Sequence, residues 1–338
     1  MDTIAVVMER PEHLALRRLP LATPGEDDVV VEVEWSGIST GTERLLWSGR
    51  MPPFPGMGYP LIPGYESVGR VVAAGAASGT RHGARVFVPG ARWSGAVRGL
   101  FGGAARHLVA PGRRVLPLAD HLGEEAVLLA LAATAWHAMQ SPAPSNASAP
   151  NMTSPAPVSS GAASGTATCV PPDLIVGHGV LGRLLARLTL ATGAPPPVVW
   201  ERNPTRAAGA NGYEVIAPED DRREGYRAIF EASGDAAGLD RLIAKLAPGG
   251  EIVLAGFYAE PISFAFPPAF LREARLRVAA EWAAGDLVAV RDMVEAGRVS
   301  LAGLITHRAA AAAADAAYRT AFGDPACLKM ILDWRVCS

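Results

Sequence analysis

The first third of the chain alternates apolar and polar positions at the two-residue period of half-buried strands. IAVVM, LALRRL, VVVEVEW, SVGRVVAAG, ARVFVP and RHLVAP are short runs of this kind. Turn-prone pieces such as TPGED and GAASGTRHG, and the glycines near position 100, separate them. The pattern predicts a compact, mostly antiparallel or barrel-like unit. EEAVLLALAATAWHAM then takes up a helical rhythm, with acids in its first turn, and ends at Ser141-Pro142.

The following stretch, residues 141–170, is built mainly from Ser, Pro, Ala, Gly and Thr. It holds little that could bury a core, so a disordered insert is expected. Asn146 and Asn151 there match a glycosylation triplet, which in a cytosolic chain is a chance match. From Asp173 strands and helices alternate. DLIVG, VVWE, YEVIA, YRAIFEASG, EIVLAGF and ARLRVAAEW read as strands. VLGRLLARLTLATG, PTRAAGA and AAGLDRLIAKLAPGG read as the helices between them. Such alternation predicts a parallel sheet covered by helices on both faces, an α/β domain. DLVAVRDMVEAGRV is a further amphipathic helix, and the tail ends in the apolar, strand-like CLKMILDW. The expected units are 1–135, 136–299 and a tail, 300–338, that returns to the first.

At 338 residues the chain is long enough for two cores. A net charge of −2 gives no basic face for nucleic acid or an acidic membrane surface. The longest apolar run, Ala126 to Trp136, is too short to span a bilayer. The start carries no signal-like segment, so a cytoplasmic location is expected. Cys169, Cys327 and Cys337 form no CxxC and are too few for a four-cysteine zinc lobe.

GHGVLG, comprising Gly177, His178, Gly179, Val180, Leu181 and Gly182, follows one predicted strand and opens a predicted helix. In that context Gly177 allows a tight turn, Gly179 lets backbone approach a pyrophosphate, and Gly182 lets helix and strand pack closely. Glu201, nineteen residues after Gly182, stands where a carboxylate would accept from ribose hydroxyls and repel a 2′-phosphate. That favours NAD, although Arg202 and Arg206 are placed to hold such a phosphate. Ser233-Gly234 and Ala255-Gly256-Phe257 end two further strands, where small residues leave room for a nicotinamide ring. The insert precedes the first of these strands and so enters at the opposite end.

With these residues the chain resembles the medium-chain dehydrogenase/reductase superfamily, which implies a GroES-like catalytic domain, a Rossmann domain and a returning tail. STGTERLLWSGRMPPFPGMGYPLIPGYESVG, GHGVLGRLLARLTL, LAPGGEIVLAGFY, SFAFPPAFLREARLR and YRTAFGDPACLKMILDW narrow the resemblance. They point to a branch that oxidises the hydroxyethyl side chain of a bacteriochlorophyllide, a tetrapyrrole, to acetyl. Where zinc-dependent relatives carry metal ligands, this chain has Ser39, Tyr65, Glu66 and, near the later ligand, the run Ala130 to Thr134. Only Glu66 suits zinc, and one carboxylate is not a site, so no metal is expected.

The alcohol proton must then leave through hydrogen-bonding side chains. Ser39, Thr40, Tyr65, Glu66, Thr134 and His137 are the candidates. Histidine is a common proton carrier, yet on an apolar helix such as that of His137 it is more often part of the packing. Glu66 and Glu43 are equally readable as structural acids, one paired and the other capping a turn. Trp47, Met51, Phe54, Met57 and Tyr59 crowd a Pro/Gly-rich loop that suits a flat macrocycle, with Arg50 placed for a propionate. The same loop also reads as cover for its own domain or as a dimer contact. The resemblance further implies a homodimer. Two other readings stand beside the dehydrogenase: a zinc-free NADPH quinone or enoyl reductase, and a binding protein without turnover.

Overall fold

The computed structural model describes residues 1–53, 56–93, 95, 97–141, 168–279 and 281–337. Phe54, Asn146, Asn151 and nearly all of the expected insert lie outside the described residues. The ends flanking that insert meet, because β8 (Gln140–Ser141) pairs antiparallel with β9 (Thr168–Cys169).

The first domain is organised around one long strand. β1 (Asp2–Arg10) and β2 (His13–Pro20) form a hairpin. β3 (Asp28–Ile38) then pairs antiparallel with β4 (Ser67–Ala74) and β6 (His107–Pro111). β5 (Arg85–Val88) and β7 (Leu116–Pro117) extend the sheet beyond β4. Along β3, Val29, Val31 and Val33 are buried while Glu32 and Glu34 are half-buried, the two-residue alternation of a one-sided sheet. α1 (Thr42–Trp47) follows β3 directly.

α2 (Leu129–Met139) joins the halves. Its Ala-rich surface is buried almost throughout, against Phe87 of the first domain and Leu184, Leu188, Leu287 and Val290 of the second. Small side chains let two domains close on one helix at short range.

The second domain is a six-stranded, wholly parallel sheet in the order β12-β11-β10-β13-β14-β15. Its strands are β10 (Leu174–Val176), β11 (Val198–Trp200), β12 (Glu214–Ile216), β13 (Tyr226–Glu231), β14 (Leu246–Leu254) and β15 (Arg275–Val278). The crossovers carry α3 (Val180–Ala191), α4 (Pro204–Ala207), α5 (Leu239–Lys245) and α6 (Phe266–Leu271), and α7 (Ala284–Glu295) follows β15. This doubly wound order places its switch point between β10 and β13.

The helix expected through LAPGG stops at Lys245. Leu246 already pairs with Tyr226, and an irregularity passes the Pro-Gly-Gly before Glu251 meets Ala228. The helix expected over 204–210 is a single turn, and α6 and α8 (Ala314–Gly323) were not expected. The tail adds β16 (His307–Ala310) and β17 (Met330–Asp333) to the first sheet, with β17 antiparallel to β3. Among the described residues no helix is long and apolar enough to cross a membrane.

Candidate active site

Three segments of the first domain converge: the turn after β3, the loop into β4, and the residue that leads into β17 from the tail. Ser39 leaves the end of β3 and Tyr65 precedes β4; the Tyr65 hydroxyl donates to Ser39 Oγ at 2.6 Å. Thr42 Oγ1 lies 3.5 Å from the same hydroxyl and is half-buried. Tyr65 is 8% exposed and Ser39 3%. Burial, reinforced by the charge of Glu66, pushes the Tyr65 phenol far above the usual tyrosine range. It therefore stays neutral and acts as a hydroxyl. Thr40 sits half-buried on the same turn.

Glu66 is fully buried. Lys329, also fully buried, donates to its two oxygens at 2.7 and 3.0 Å and to the Ile38 carbonyl at 3.2 Å. Burial raises the Glu66 carboxyl and the lysine pulls it back. A Cβ at position 37 would lie 2.1 Å from Glu66 Oε2, so the pair needs Gly37. Both carboxylate oxygens of Glu66 are thus engaged by Lys329. Glu43 is buried as well; Tyr318 of α8 donates to it at 2.7 Å and the Ser39 N–H approaches it at 3.4 Å.

Thr134 and His137 do not join this group. Thr134 Oγ1 donates to its own helix at the Ala130 carbonyl, 3.1 Å away. His137 Nδ1 lies 2.7 Å from Asp286, which also caps α7 through the Ala283 N–H. The imidazole thus ties α2 to α7. The described residues of the loop expected to carry the pigment pack on their own domain. Trp47 packs on Phe322 at 5.6 Å, Met51 is in the core, and the Tyr59 hydroxyl donates to the Leu46 carbonyl. Met57 also packs against that core, and Arg50 donates to Ser48 Oγ at 3.2 Å. The loop covers its own domain. The aromatic rings near Tyr65 are instead Phe101, at 5.0 Å between centroids, and Trp282 of the second domain, at 6.3 Å.

The glycine loop has the geometry of a phosphate cradle. Gly177 adopts φ +97°, and a Cβ on Gly182 would stand 1.9 Å from the Gly177 carbonyl. Gly179 caps α3 with no side chain over the helix start, and a Cβ there would meet open space. Free first-turn N–H groups and the helix dipole thus face an unobstructed approach, the fit a pyrophosphate requires. Val180 and Leu181 turn into the core.

The His178 ring also turns inward, which corrects its reading as a cofactor contact. It is fully buried, with Nδ1 2.6 Å from the Arg206 carbonyl and Nε2 2.8 Å from the Tyr213 hydroxyl. Burial lowers it to about 4, so the neutral ring donates at Nδ1 and accepts at Nε2. Only its N–H looks outward, donating to Glu201 at 3.0 Å. Glu201 also accepts from the Asn203 N–H at 2.8 Å. Arg202 pairs with Asp235 at 3.3 Å, and Arg206 donates to the Pro325 carbonyl at 2.9 Å.

Sequence reasoning passed over several supports. Arg183, buried in α3, donates to the carbonyls of His178, Arg206 and Ala208, stapling the glycine loop to the segment after β11. Glu231 ends β13 and accepts from the N–H groups of Ser233 and Gly234 and the hydroxyls of Ser233 and Tyr258. It fixes the Ser233-Gly234 and Ala255-Gly256-Phe257 turns against each other; Gly234 leaves only 2.7 Å between its virtual Cβ and the Phe257 carbonyl. Lys329 did leave a signal, as a single lysine inside the apolar CLKMILDW.

The alcohol dehydrogenase GroES-like domain model matches residues 25–120. The 2-desacetyl-2-hydroxyethyl bacteriochlorophyllide A dehydrogenase of Rhodobacter capsulatus is 54% identical over 336 residues, 99% of each chain. Its namesake in Cereibacter sphaeroides is 52% identical over 340 residues, again 99% of each. The chain belongs to this bacteriochlorophyllide dehydrogenase family, within the medium-chain dehydrogenase/reductase superfamily. Solved relatives share the fold at lower identity. L-idonate 5-dehydrogenase from Escherichia coli covers 99% of both chains at a TM-score of 0.79 and 15% identity. An E. coli alcohol dehydrogenase complexed with NADH covers 98% of this chain and 99% of its own, at a TM-score of 0.77 and 20% identity. Family and fold thus agree with the Rossmann and GroES-like halves described above.

Proposed function

We propose that this chain oxidises the 3-(1-hydroxyethyl) group of a bacteriochlorophyllide to 3-acetyl, using NAD and no zinc. The observation that carries the reading is the Tyr65–Ser39 hydrogen bond at 2.6 Å, standing where zinc-dependent relatives hold metal ligands. When bound, the nicotinamide supplies the hydride acceptor. The chain's own residues handle the proton. As the carbinol C–H pair leaves, the C–O bond becomes C=O and the hydroxyl proton passes to Ser39 Oγ. For this the Tyr65 hydroxyl turns from Ser39 to Thr42, so that Ser39 hands its proton to the Tyr65 oxygen and Tyr65 releases its own toward Thr42 Oγ1 and solvent. Gly179 and the start of α3 would hold the pyrophosphate, and Glu201 the adenosine ribose. Phe101 and Trp282 offer apolar faces beside Tyr65 that suit a flat macrocycle.

Zinc independence rests on the donor set. Ser39 and Tyr65 are neutral hydroxyls bonded to each other, and both oxygens of Glu66 accept from the buried Lys329. NAD is favoured over NADP because Glu201, held beside the glycine loop by the His178 N–H, is a carboxylate that would repel a 2′-phosphate, while Arg202 pairs with Asp235 and Arg206 with the Pro325 carbonyl. The open edge of β15, with Val278 exposed and Phe266, Phe270 and Leu271 exposed on nearby α6, supports pairing of two copies.

Incubation with hydroxyethyl bacteriochlorophyllide and NAD, in the presence of a chelator, should move the pigment absorbance toward the acetyl product. A spectrum that stays unchanged with either nicotinamide sinks the dehydrogenase reading, and activity that the chelator abolishes removes its zinc-free part. Glu201→Ala should weaken NAD by roughly 10–100-fold, the worth of hydrogen bonds to a charged group, with far less effect on NADP. Dissociation constants for the two cofactors measure this, and an unchanged preference takes Glu201 out of the site.

A further inference from the structure

Beneath the Ser39–Tyr65 pair the fold buries two carboxyls, Glu43 and Glu66, but one cation, Lys329; all three are fully inaccessible. Lys329 lies on Glu66 at 2.7 Å. Among the described residues no basic side chain pairs with Glu43, and Arg44 beside it is exposed. The groups that face Glu43 are the Tyr318 hydroxyl from α8, the Ser39 N–H from its own turn, and, at longer range, Glu66, Lys329 and Tyr65. One positive charge for two buried acids leaves one of them to be neutral. The unpaired one is Glu43.

Resting on the dehydrogenase reading above, we propose that Glu43 is a positioning residue for hydride transfer: as a neutral acid clamped between Ser39 and Tyr318 it holds the Ser39–Thr42 turn, and its ionisation switches the relay off. The physical reason is charge. As the carbinol proton moves onto the hydroxyl chain, negative charge spreads over the substrate oxygen, Ser39 and Tyr65. A neutral Glu43 leaves that charge undisturbed, whereas a carboxylate one turn away in a water-poor core opposes it. Burial is the largest influence on Glu43 and lifts it to about 8, against the lowering pull of the Tyr318 hydroxyl. The switch therefore falls just above neutrality.

The test is a pH profile with hydroxyethyl bacteriochlorophyllide and NAD on the parent, Glu43→Gln and Tyr318→Phe, beside an infrared titration of the buried protonated carboxyl. In the parent, kcat should fall on the order of tenfold as pH rises through about 8, with KM little changed, and the carboxyl band should fade over the same interval. Glu43→Gln cannot ionise; it should retain most of the turnover at neutral pH and lose both the fall and the band. Tyr318→Phe removes the bond that favours the carboxylate, so its fall should move to higher pH. The proposal is overturned if Glu43→Gln keeps the parent's alkaline fall, or if parental kcat stays flat while the band fades. Absence of product from the parent would count against the dehydrogenase reading instead, and the infrared titration would still decide the charge of Glu43.

Discussion

Replacing Tyr65 by phenylalanine should lower kcat by about 10²–10⁴-fold, the usual worth of a positioned proton-transfer group. The substitution keeps the ring that packs edge-on against Phe101 and toward Trp282. It removes only the oxygen linking Ser39 to Thr42. KM for the pigment should therefore change little, because apolar contacts persist and the loss is confined to the reacting state. The phenol's pKa lies far above the assay range, so Tyr65 itself contributes no titration to the profile. Steady-state kinetics measure the effect. A kcat within about threefold of the parent would mean that the proton leaves by another route.

Lys329→Met should destabilise the first domain by about 3–5 kcal/mol, since it strands the Glu66 carboxylate in a fully buried place. Methionine fills most of the lysine volume, so the loss is electrostatic rather than a cavity. The pH dependence follows from Glu66. Burial already raises its folded pKa, and without the ammonium that pKa rises further, so the deficit relative to the parent is small in acid and grows as pH rises above the parent's own folded value. Adding Glu66→Gln should recover much of the stability, because the amide carries no charge to strand. Denaturant titrations at acid and neutral pH check both statements; a deficit independent of pH, or one the second substitution does not relieve, would show that the ion pair is not its source. With Ile38 losing its Lys329 bond as well, the Ser39 turn should loosen and turnover should fall along with stability.

The dinucleotide half was legible because its determinants are local. Gly177, Gly179 and Gly182 act within one turn of chain, and DLIVG supplies the strand before them. No long-range partner is needed to force a tight turn at φ +97° or a helix start free of side chains. The strands of the first domain were legible for a similar reason, as in the alternation of Val29, Val31 and Val33 with Glu32 and Glu34 along β3. α8 was harder: AAAADAAYRTAFG has helix-forming residues but few large apolar ones to mark a face. The loop through Trp47 and Tyr59 stayed open between two readings because an aromatic on a loop reads alike whether it meets a ligand or its own core. Phe322, contributed by α8, decides between them for Trp47.

The sequence by itself determined the two-domain α/β plan and the glycine cradle with its acid, and through the resemblance it singled out Ser39 and Tyr65. Tertiary structure alone decided what those residues do. Lys329 reaches Glu66 across 263 positions and Tyr318 reaches Glu43 across 275. Both pairings exist because the tail packs back on the first sheet through β17, and a buried charge can be read only once its neighbours are in place.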